Sequence, residues 1–239
     1  MTAPLRELSR ARVTWMLFAL LTAIHAAVEW LGGYQEVADW YVIAGLSRDG
    51  VMHGYVWQLL SYGFLHGSWF HLLCNMAFLL LMGSRIEFML GGVTLLKVFL
   101  LGIFGGGLCH LLLGSSGENV LVGASAGCVA LLLLTTTLSP QSRMAPLPLS
   151  AKNLGAGVLL GSLLLTLFQP GLNLPFFAEI GRTGSRIFGE DLFQVGHACH
   201  LGGALSGWLY GHWMLRRRID LNGLRADRAR REKNSRSGL

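Results

Sequence analysis

Charged residues are scarce in this chain of 239 residues, because Asp, Glu, Lys and Arg together make up only 13% of it. About a quarter is usual for a soluble domain. Hydrophobic residues make up 52%, and the mean hydropathy is +0.50. This composition excludes an ordinary water-soluble domain and predicts a compact bundle of membrane-spanning helices that uses most of the length.

Cysteines are also few, and the sequence has no Cys-x-x-Cys pair. All four lie inside apolar runs (Cys74, Cys109, Cys128 and Cys199). Such positions are typical of small buried hydrophobic side chains rather than of disulfides or a metal site. We therefore expect no metal and no cofactor. A cleavable signal peptide is not expected either, since the first apolar run is too long for one.

Six apolar runs divide the chain. They cover residues 13–31, 69–90, 92–113, 118–138, 154–170 and 192–214. A helix of about 20 apolar residues crosses the hydrocarbon core of a bilayer. The runs therefore predict an all-α, polytopic bundle of six transmembrane helices. The long loop 32–68 between the first two runs carries aromatic residues that we expect at the headgroup level (Trp40, Tyr41, Tyr55 and Trp57). His25 and Glu29 are expected near the same interface.

Lysine and arginine predict the orientation of the bundle. An even number of spans places both termini on one side, and most basic residues fall in segments on that side. The opposite side holds only Arg48, Arg182 and Arg186. The positive-inside rule then predicts a cytoplasmic N-terminal segment 1–12, a membrane domain 13–215 and a basic cytoplasmic tail 216–239. We interpret the tail as an anchor beside anionic lipid and expect no nucleic-acid partner. The proline-containing linker 139–153 is expected to be a cytoplasmic loop.

A serine lies between two glycines inside the fourth run, in Gly123-Ala124-Ser125-Ala126-Gly127. Alone, such a motif more often serves helix packing than catalysis. Two further polar segments lie in apolar runs, where polar groups are costly and usually functional. They are His66 with His71-x-x-x-Asn75, and His197 with His200-Leu201-Gly202-Gly203.

The three segments are predicted to lie at one depth. Asn75, Ser125 and His200 are about six, seven and eight residues inside spans that enter from the outer face, or roughly 9–12 Å deep. A serine beside a histidine supplies a nucleophile and its general base. Because no Asp or Glu lies at this depth, the pattern indicates a Ser-His dyad. His71 and Asn75, spaced i and i+4, share a helical face and are candidates to stabilise an oxyanion with the Ser125 N–H.

Simpler interpretations stand beside this one. His71 and Asn75 are also compatible with a hydrogen-bonded pair between helices, and His200 with a satisfied buried histidine. Gly203, Gly207 and Gly211 are spaced for close packing, which we expect between the sixth span and the fourth.

Taken together, these motifs resemble those of the rhomboid intramembrane serine proteases over about 57–211. The resemblance rests on Phe64-Leu65-His66, His71-x-x-x-Asn75-Met76, Gly83-x-x-x-Glu87-x-x-x-Gly91, Gly123-Ala124-Ser125 and His200-Leu201-Gly202-Gly203. It implies Ser125 as nucleophile, His200 as base rather than His197, and His71 and Asn75 as oxyanion stabilisers. It also implies structural roles for Gly123, Gly127 and Gly203 near the site, and for Glu87 as an acid that ties the turn between the second and third spans. Three positions depart from the family pattern: Ala126 follows the serine, Val129 replaces an aromatic residue, and Gln58 replaces an arginine.

The predicted function is proteolysis in or beside the transmembrane segments of membrane proteins, in the lipid bilayer of a bacterial cell (inner) membrane. The loop 171–189 is a candidate lid. Two alternatives remain: a catalytically impaired rhomboid-like protein that binds membrane clients, and a transporter or channel lined by the polar cluster.

Overall fold

The computed structural model of the chain describes residues 3–114, 120–143, 149–189 and 196–218. In these ranges the regular structure is helical, apart from two isolated β-bridges. The helices are α1 (Ala3–Arg10), α2 (Arg12–Trp30), α3 (Ala38–Ala44), α4 (Arg48–Met52), α5 (Gln58–Ser61), α6 (Trp69–Phe78), α7 (Ser84–Leu90), α8 (Gly92–Leu113), α9 (Ser125–Leu138), α10 (Ala151–Leu167), α11 (Pro175–Phe188) and α12 (His197–Arg218). A π-helical turn, Leu79–Gly83, joins α6 to α7. The prediction of an all-α membrane bundle is confirmed.

A helix occupies most of each predicted apolar run. Three helical segments are long and apolar enough to cross a bilayer: Arg12–Trp30, Trp69–Leu90 and Gly92–Leu113. The helices α9 and α10 are apolar but shorter, at 14 and 17 residues. Helix α12 has 22 residues but a more polar composition. The count of six spans therefore stays a prediction.

Several predicted boundaries were wrong. Helix α9 begins at Ser125 and not near 118, because residues 120–124 are not helical and Leu121 exchanges two backbone hydrogen bonds of 2.9 Å with Leu46. Helix α10 begins inside the predicted linker, where the Ser150 hydroxyl caps it by accepting from the Asn153 N–H at 3.3 Å. The predicted N-terminal segment 1–12 contains α1, and its boundary and its cytoplasmic side stay predictions. Residues 144–148 of the linker and the tail beyond residue 218 lie outside the described residues.

Two polar side chains predicted for the interface are buried within the bundle, and their depth in a bilayer stays a prediction. Tyr41 is buried, and its hydroxyl donates to the backbone carbonyl of His66 at 2.8 Å. Burial, followed by the charge of nearby Glu29, raises the pKa of Tyr41, so this hydroxyl remains a donor. His25 is also buried, with its ring 4.7 Å edge-on from that of Trp69. The other loop aromatics are exposed, and their headgroup level stays a prediction (Trp40, Tyr55 and Trp57).

The centre of the bundle is formed by α8, α9 and α12, which pack closely. At Gly203 and Gly207 of α12, an added Cβ would collide with the carbonyl oxygens of Ala126 and Ala130 on α9. At Gly211 it would lie 2.9 Å from Cγ2 of Thr137. The predicted packing of the glycine ridge on the helix that carries Ser125 is confirmed.

The four cysteines are free thiols. Cys128 and Cys199 are buried, as predicted, and Cys109 is partly buried. Cys74 is exposed on the bundle surface, so the expectation of burial was wrong there. An outward position in an apolar helix needs only a side chain that lipid tolerates, and apolarity alone does not distinguish inward from outward positions.

Candidate active site

Ser125 and His200 meet at the ends of two packed helices. Ser125 is the first residue of α9, and His200 is the fourth of α12. Nε2 of His200 lies 2.8 Å from Oγ of Ser125. The glycine ridge that brings α12 against α9 also holds these two side chains at hydrogen-bonding distance. Ser125 is the first residue of its helix and follows the non-helical residues 120–124, so it does not lie two helical turns inside a span as its predicted depth assumed, and the common depth stays a prediction.

His197, the alternative base, is the first residue of α12 and is buried. Its ring centroid lies 6.4 Å from that of His200. Of the two histidines, His200 is the one that contacts the Ser125 hydroxyl.

The backbone before Ser125 adopts a conformation that needs glycine. Gly123 has φ of +126°, and its N–H donates to the carbonyl of Tyr62 at 3.0 Å. A Cβ at this position would lie 2.6 and 2.7 Å from Cε1 and Nε2 of His71, and 3.8 Å from Nδ2 of Asn75. Both the backbone angle and the contact exclude a side chain. The geometry also shows that His71 and Asn75 approach the same point, two residues before Ser125.

The side-chain amide of Asn75 is a buried hydrogen-bond donor without an acceptor in the part of the chain that the structure describes. Asn75 is only 6% exposed, and its Nδ2 has no hydrogen-bond acceptor among the described residues. A buried N–H without a partner costs about 1–3 kcal/mol, so native structures rarely keep one without reason. His71 lies one turn earlier on the same face of α6, whose first turn is capped by Ser68 Oγ accepting from the His71 N–H at 3.2 Å. The His71 ring and the Asn75 amide therefore lie beside Gly123, two residues before Ser125.

The ring of His66 packs edge-on against the ring of His71. The two rings are 5.2 Å apart and inclined at 70°. Burial, with smaller contributions from His71 and His25, lowers the pKa of His66 to about 3. The ring is therefore neutral at physiological pH and adds no charge beside the donors.

The family of the chain can be settled by comparison with known proteins. A family model described as the Rhomboid domain matches residues 53–217, which include every residue of this site. The chain belongs to the rhomboid family. With its apolar helices, this makes it an integral, multi-pass membrane protein.

Curated relatives agree with the family model. RHOMBOID-like protein 5 of Arabidopsis thaliana is 37% identical over 90 residues, covering 38% of this chain and 29% of the relative. RHOMBOID-like protein 1 of the same plant is 33% identical over 176 residues, covering 71% and 37%. Rhomboid-related protein 1 of Caenorhabditis elegans is 29% identical over 164 residues, covering 69% and 41%. Each match therefore covers less than half of the relative's length.

Two departures from the rhomboid pattern have a structural explanation. The Ala126 methyl packs against α8 at Gly106, where an added Cβ would lie only 2.5 Å from it. Gln58, in the place of an arginine, is fully buried and anchors the long loop. Its Oε1 accepts from the Ser47 N–H at 3.1 Å, and its Nε2 donates to the carbonyl of Val42 at 2.7 Å. Val129, the third departure, packs beneath the site with Leu132, Leu133 and Ala204.

Tyr62 is a residue of this rhomboid site that the sequence analysis missed. It is fully buried, and its hydroxyl donates to the carbonyl of Ile103 on α8 at 2.6 Å. The same hydroxyl lies 3.4 Å from Sγ of Cys199, the neighbour of His200. Since the Tyr62 carbonyl also holds Gly123, one residue contacts the segments that carry both members of the pair. No sequence signal marked it, because one aromatic among several in a loop has no distinctive spacing.

Glu87 has a structural role, but its hydrogen bonds among the described residues join the second predicted span to the first and not, as expected, to the third. Its Oε1 accepts from the Val13 N–H, and its Oε2 from both the N–H and the hydroxyl of Thr14, all at 2.8 Å. The two N–H groups belong to the first turn of α2, where backbone donors have no partner inside their own helix. Within the described residues, no group of three or more His, Cys, Asp or Glu is arranged to hold a metal ion.

Proposed function

We propose that this rhomboid is an intramembrane serine endopeptidase that hydrolyses peptide bonds in or beside the transmembrane segments of membrane proteins. The observation that carries the proposal is the 2.8 Å contact between Oγ of Ser125 and Nε2 of His200. A serine hydroxyl is a weak nucleophile until a base accepts its proton, and this contact places a base at that proton. The roles below are assigned to the residues on this basis.

In the first half of the reaction, Ser125 Oγ attacks the substrate carbonyl carbon as its proton passes to His200 Nε2. The C–N bond then breaks, and His200 returns the proton to the leaving amine, which leaves an acyl-serine ester. In the second half, water attacks the ester carbonyl and gives a proton to His200. The ester C–O bond breaks, and the proton returns to Ser125 Oγ, so both side chains are restored.

The negative charge that develops on the carbonyl oxygen needs donors. Nδ2 of Asn75, Nε2 of His71 and the backbone N–H of Ser125 are assigned this role. Asn75 supports it most strongly, because its buried Nδ2 has no acceptor in the described part of the chain. Removal of one oxyanion donor typically lowers kcat about 10²–10³-fold.

The substrate class follows from the surroundings of the pair. The site lies within a membrane bundle, so its substrates are membrane proteins that reach it through the lipid bilayer. A helical peptide bond has its carbonyl engaged in an i to i+4 hydrogen bond, and the substrate must therefore unwind locally before attack. We propose that both termini are cytoplasmic, which directs the site toward the outer face. The bacterial origin stays a prediction from sequence, and the curated relatives reported above come from a plant and a worm.

The test is cleavage in proteoliposomes that contain the purified protein and candidate single-span substrates. Wild type is expected to cut, and Ser125→Ala is expected to bind substrate without cutting it. Ser206→Ala is the matched control, because that hydroxyl donates to the Gly202 carbonyl within α12 and lies outside the pair. Cleavage that survives Ser125→Ala would contradict the proposal. Wild type that retains substrates without cutting any of them would support the client-binding alternative.

A further inference from the structure

Helix α11, residues Pro175–Phe188, carries its side chains in three distinct sectors. At 100° per residue, one sector faces the protein and contains Ala178 and Gly181, both buried. The contact at Gly181 is close, since an added Cβ would collide with the carbonyl oxygen of Phe168 at the end of α10. A stacked pair of rings, Phe168 and Phe177, 6.0 Å apart, adds to this contact.

A second sector is apolar and exposed in the described part of the chain. Phe176, Ile180 and Ile187 lie within about 40° of one another around the helix axis. Their side chains are 73%, 39% and 68% exposed. Apolar side chains grouped in this way are unusual on a surface that faces water.

The third sector is charged. It contains Glu179, Arg182 and Arg186, all exposed. Nη2 of Arg182 lies 2.7 Å from Oε2 of Glu179, which leaves a net positive charge along this side of the helix. Arginine on the polar side of an amphipathic helix is suited to lipid phosphates.

The position of α11 follows from the path of the chain. Ser125 begins α9, so the end of α9 and the start of α10 lie at the opposite end of the bundle. Helix α10 returns, and α11 connects it to the start of α12, where His200 lies. Helix α11 is therefore at the same end of the bundle as the Ser125–His200 pair.

We propose that α11 lies in the plane of the membrane surface at this end, with its apolar sector in the acyl region and its two arginines at the phosphate level. Its 14 residues extend about 21 Å, which is too short to cross a hydrocarbon core of about 30 Å. Its charged sector opposes full immersion, and its apolar sector opposes full hydration. The partner is a phospholipid leaflet, and this inference does not depend on catalysis.

Site-directed spin labelling tests the proposal. Single cysteines would replace Phe176, Ile180 and Ile187, and separately Arg182 and Arg186, in a background with Cys74→Ser and Cys109→Ala. Buried Cys128 and Cys199 stay in place. Each labelled protein would be placed in phosphatidylcholine–phosphatidylglycerol nanodiscs, and collision rates would be measured with oxygen, which concentrates in lipid, and with a water-soluble nickel chelate.

Labels at 176, 180 and 187 are expected to collide preferentially with oxygen, and those at 182 and 186 with the nickel chelate. Preferential nickel collision at all five positions would overturn the proposal by placing α11 in water. Protection of 176, 180 and 187 that appears only after a single-span substrate is added would also overturn it, since the sector would then be a substrate contact. All replaced side chains of α11 are exposed, so the fold should tolerate each change, and size-exclusion profiles would check this.

Discussion

Replacing Gly123 by alanine tests how closely the backbone before Ser125 is fitted to its neighbours. The φ of +126° is a conformation that L side chains rarely adopt. Holding a residue with a side chain in such a region costs about 1–3 kcal/mol. The new methyl group would also lie 2.6 Å from Cε1 of His71, whereas carbon atoms in favourable contact are about 3.5–4.0 Å apart. The His71 ring or the Gly123 backbone must therefore move by about 1 Å.

This displacement acts on His71, a proposed oxyanion donor, or on the backbone that leads to Ser125. A misplacement of about 1 Å at an active site commonly lowers the rate about 10²-fold. We expect Gly123→Ala to lower the second-order rate of labelling by a fluorophosphonate about 100-fold, and to lower the unfolding free energy by about 1–3 kcal/mol. Labelling kinetics and thermal unfolding in the same detergent measure both effects.

Gly157→Ala is the matched control. Gly157 is inside α10, and an added Cβ there would meet no atom within 4 Å. Alanine in a helix interior is favoured over glycine by about 0.5–1 kcal/mol, so this variant should label normally and unfold no earlier than wild type. A Gly123→Ala protein with the labelling rate and stability of wild type would refute the fit described here between Gly123 and His71.

Three further variants test the supports of the site. Tyr62→Phe removes the hydroxyl that contacts Cys199 and should slow labelling about five-fold through a loss of about 1 kcal/mol in positioning, and an unchanged rate would show that the hydroxyl has no such role. Glu87→Gln removes the charged acceptor for the first turn of α2 and should lower the unfolding free energy by about 1–3 kcal/mol, while the folded fraction labels normally. Glu179→Gln, which alters an exposed ion pair, is its control. Equal losses of stability in the two variants would contradict the capping role of Glu87. Gly207→Leu places a side chain against a backbone carbonyl of α9 and should separate α12 from α9. We expect this variant to lose labelling and to lower the unfolding free energy by about 1–3 kcal/mol. Full labelling would contradict the close contact between the two helices.

The sequence alone was sufficient for the class of fold and for the meeting of Ser125 with His200. A long apolar run predicts a membrane helix directly, because backbone N–H and C=O groups in lipid must pair with one another and a helix pairs them within one segment. The motif residues could be found because polar groups are rare in such runs. The spacing of Gly203 and Gly207 also correctly predicted which helices pack.

What the sequence did not reveal depends on contacts between distant segments. The start of α9 at Ser125 follows from the pairing of Leu46 with Leu121, and hydropathy carries no signal for that pairing. Tyr41 was predicted to lie among the lipid headgroups, and the sequence did not show that it is buried with its hydroxyl donating to the backbone carbonyl of His66. The role of Gln58 was likewise invisible, because its partners belong to the loop 42–47 and become neighbours only in the folded chain.

Tandem mass spectrometry of the fluorophosphonate adduct identifies the nucleophile itself. We expect one phosphonylated residue, Ser125, with the adduct absent in Ser125→Ala and strongly reduced in His200→Ala. An adduct on another serine, or labelling that persists in Ser125→Ala, would contradict this expectation.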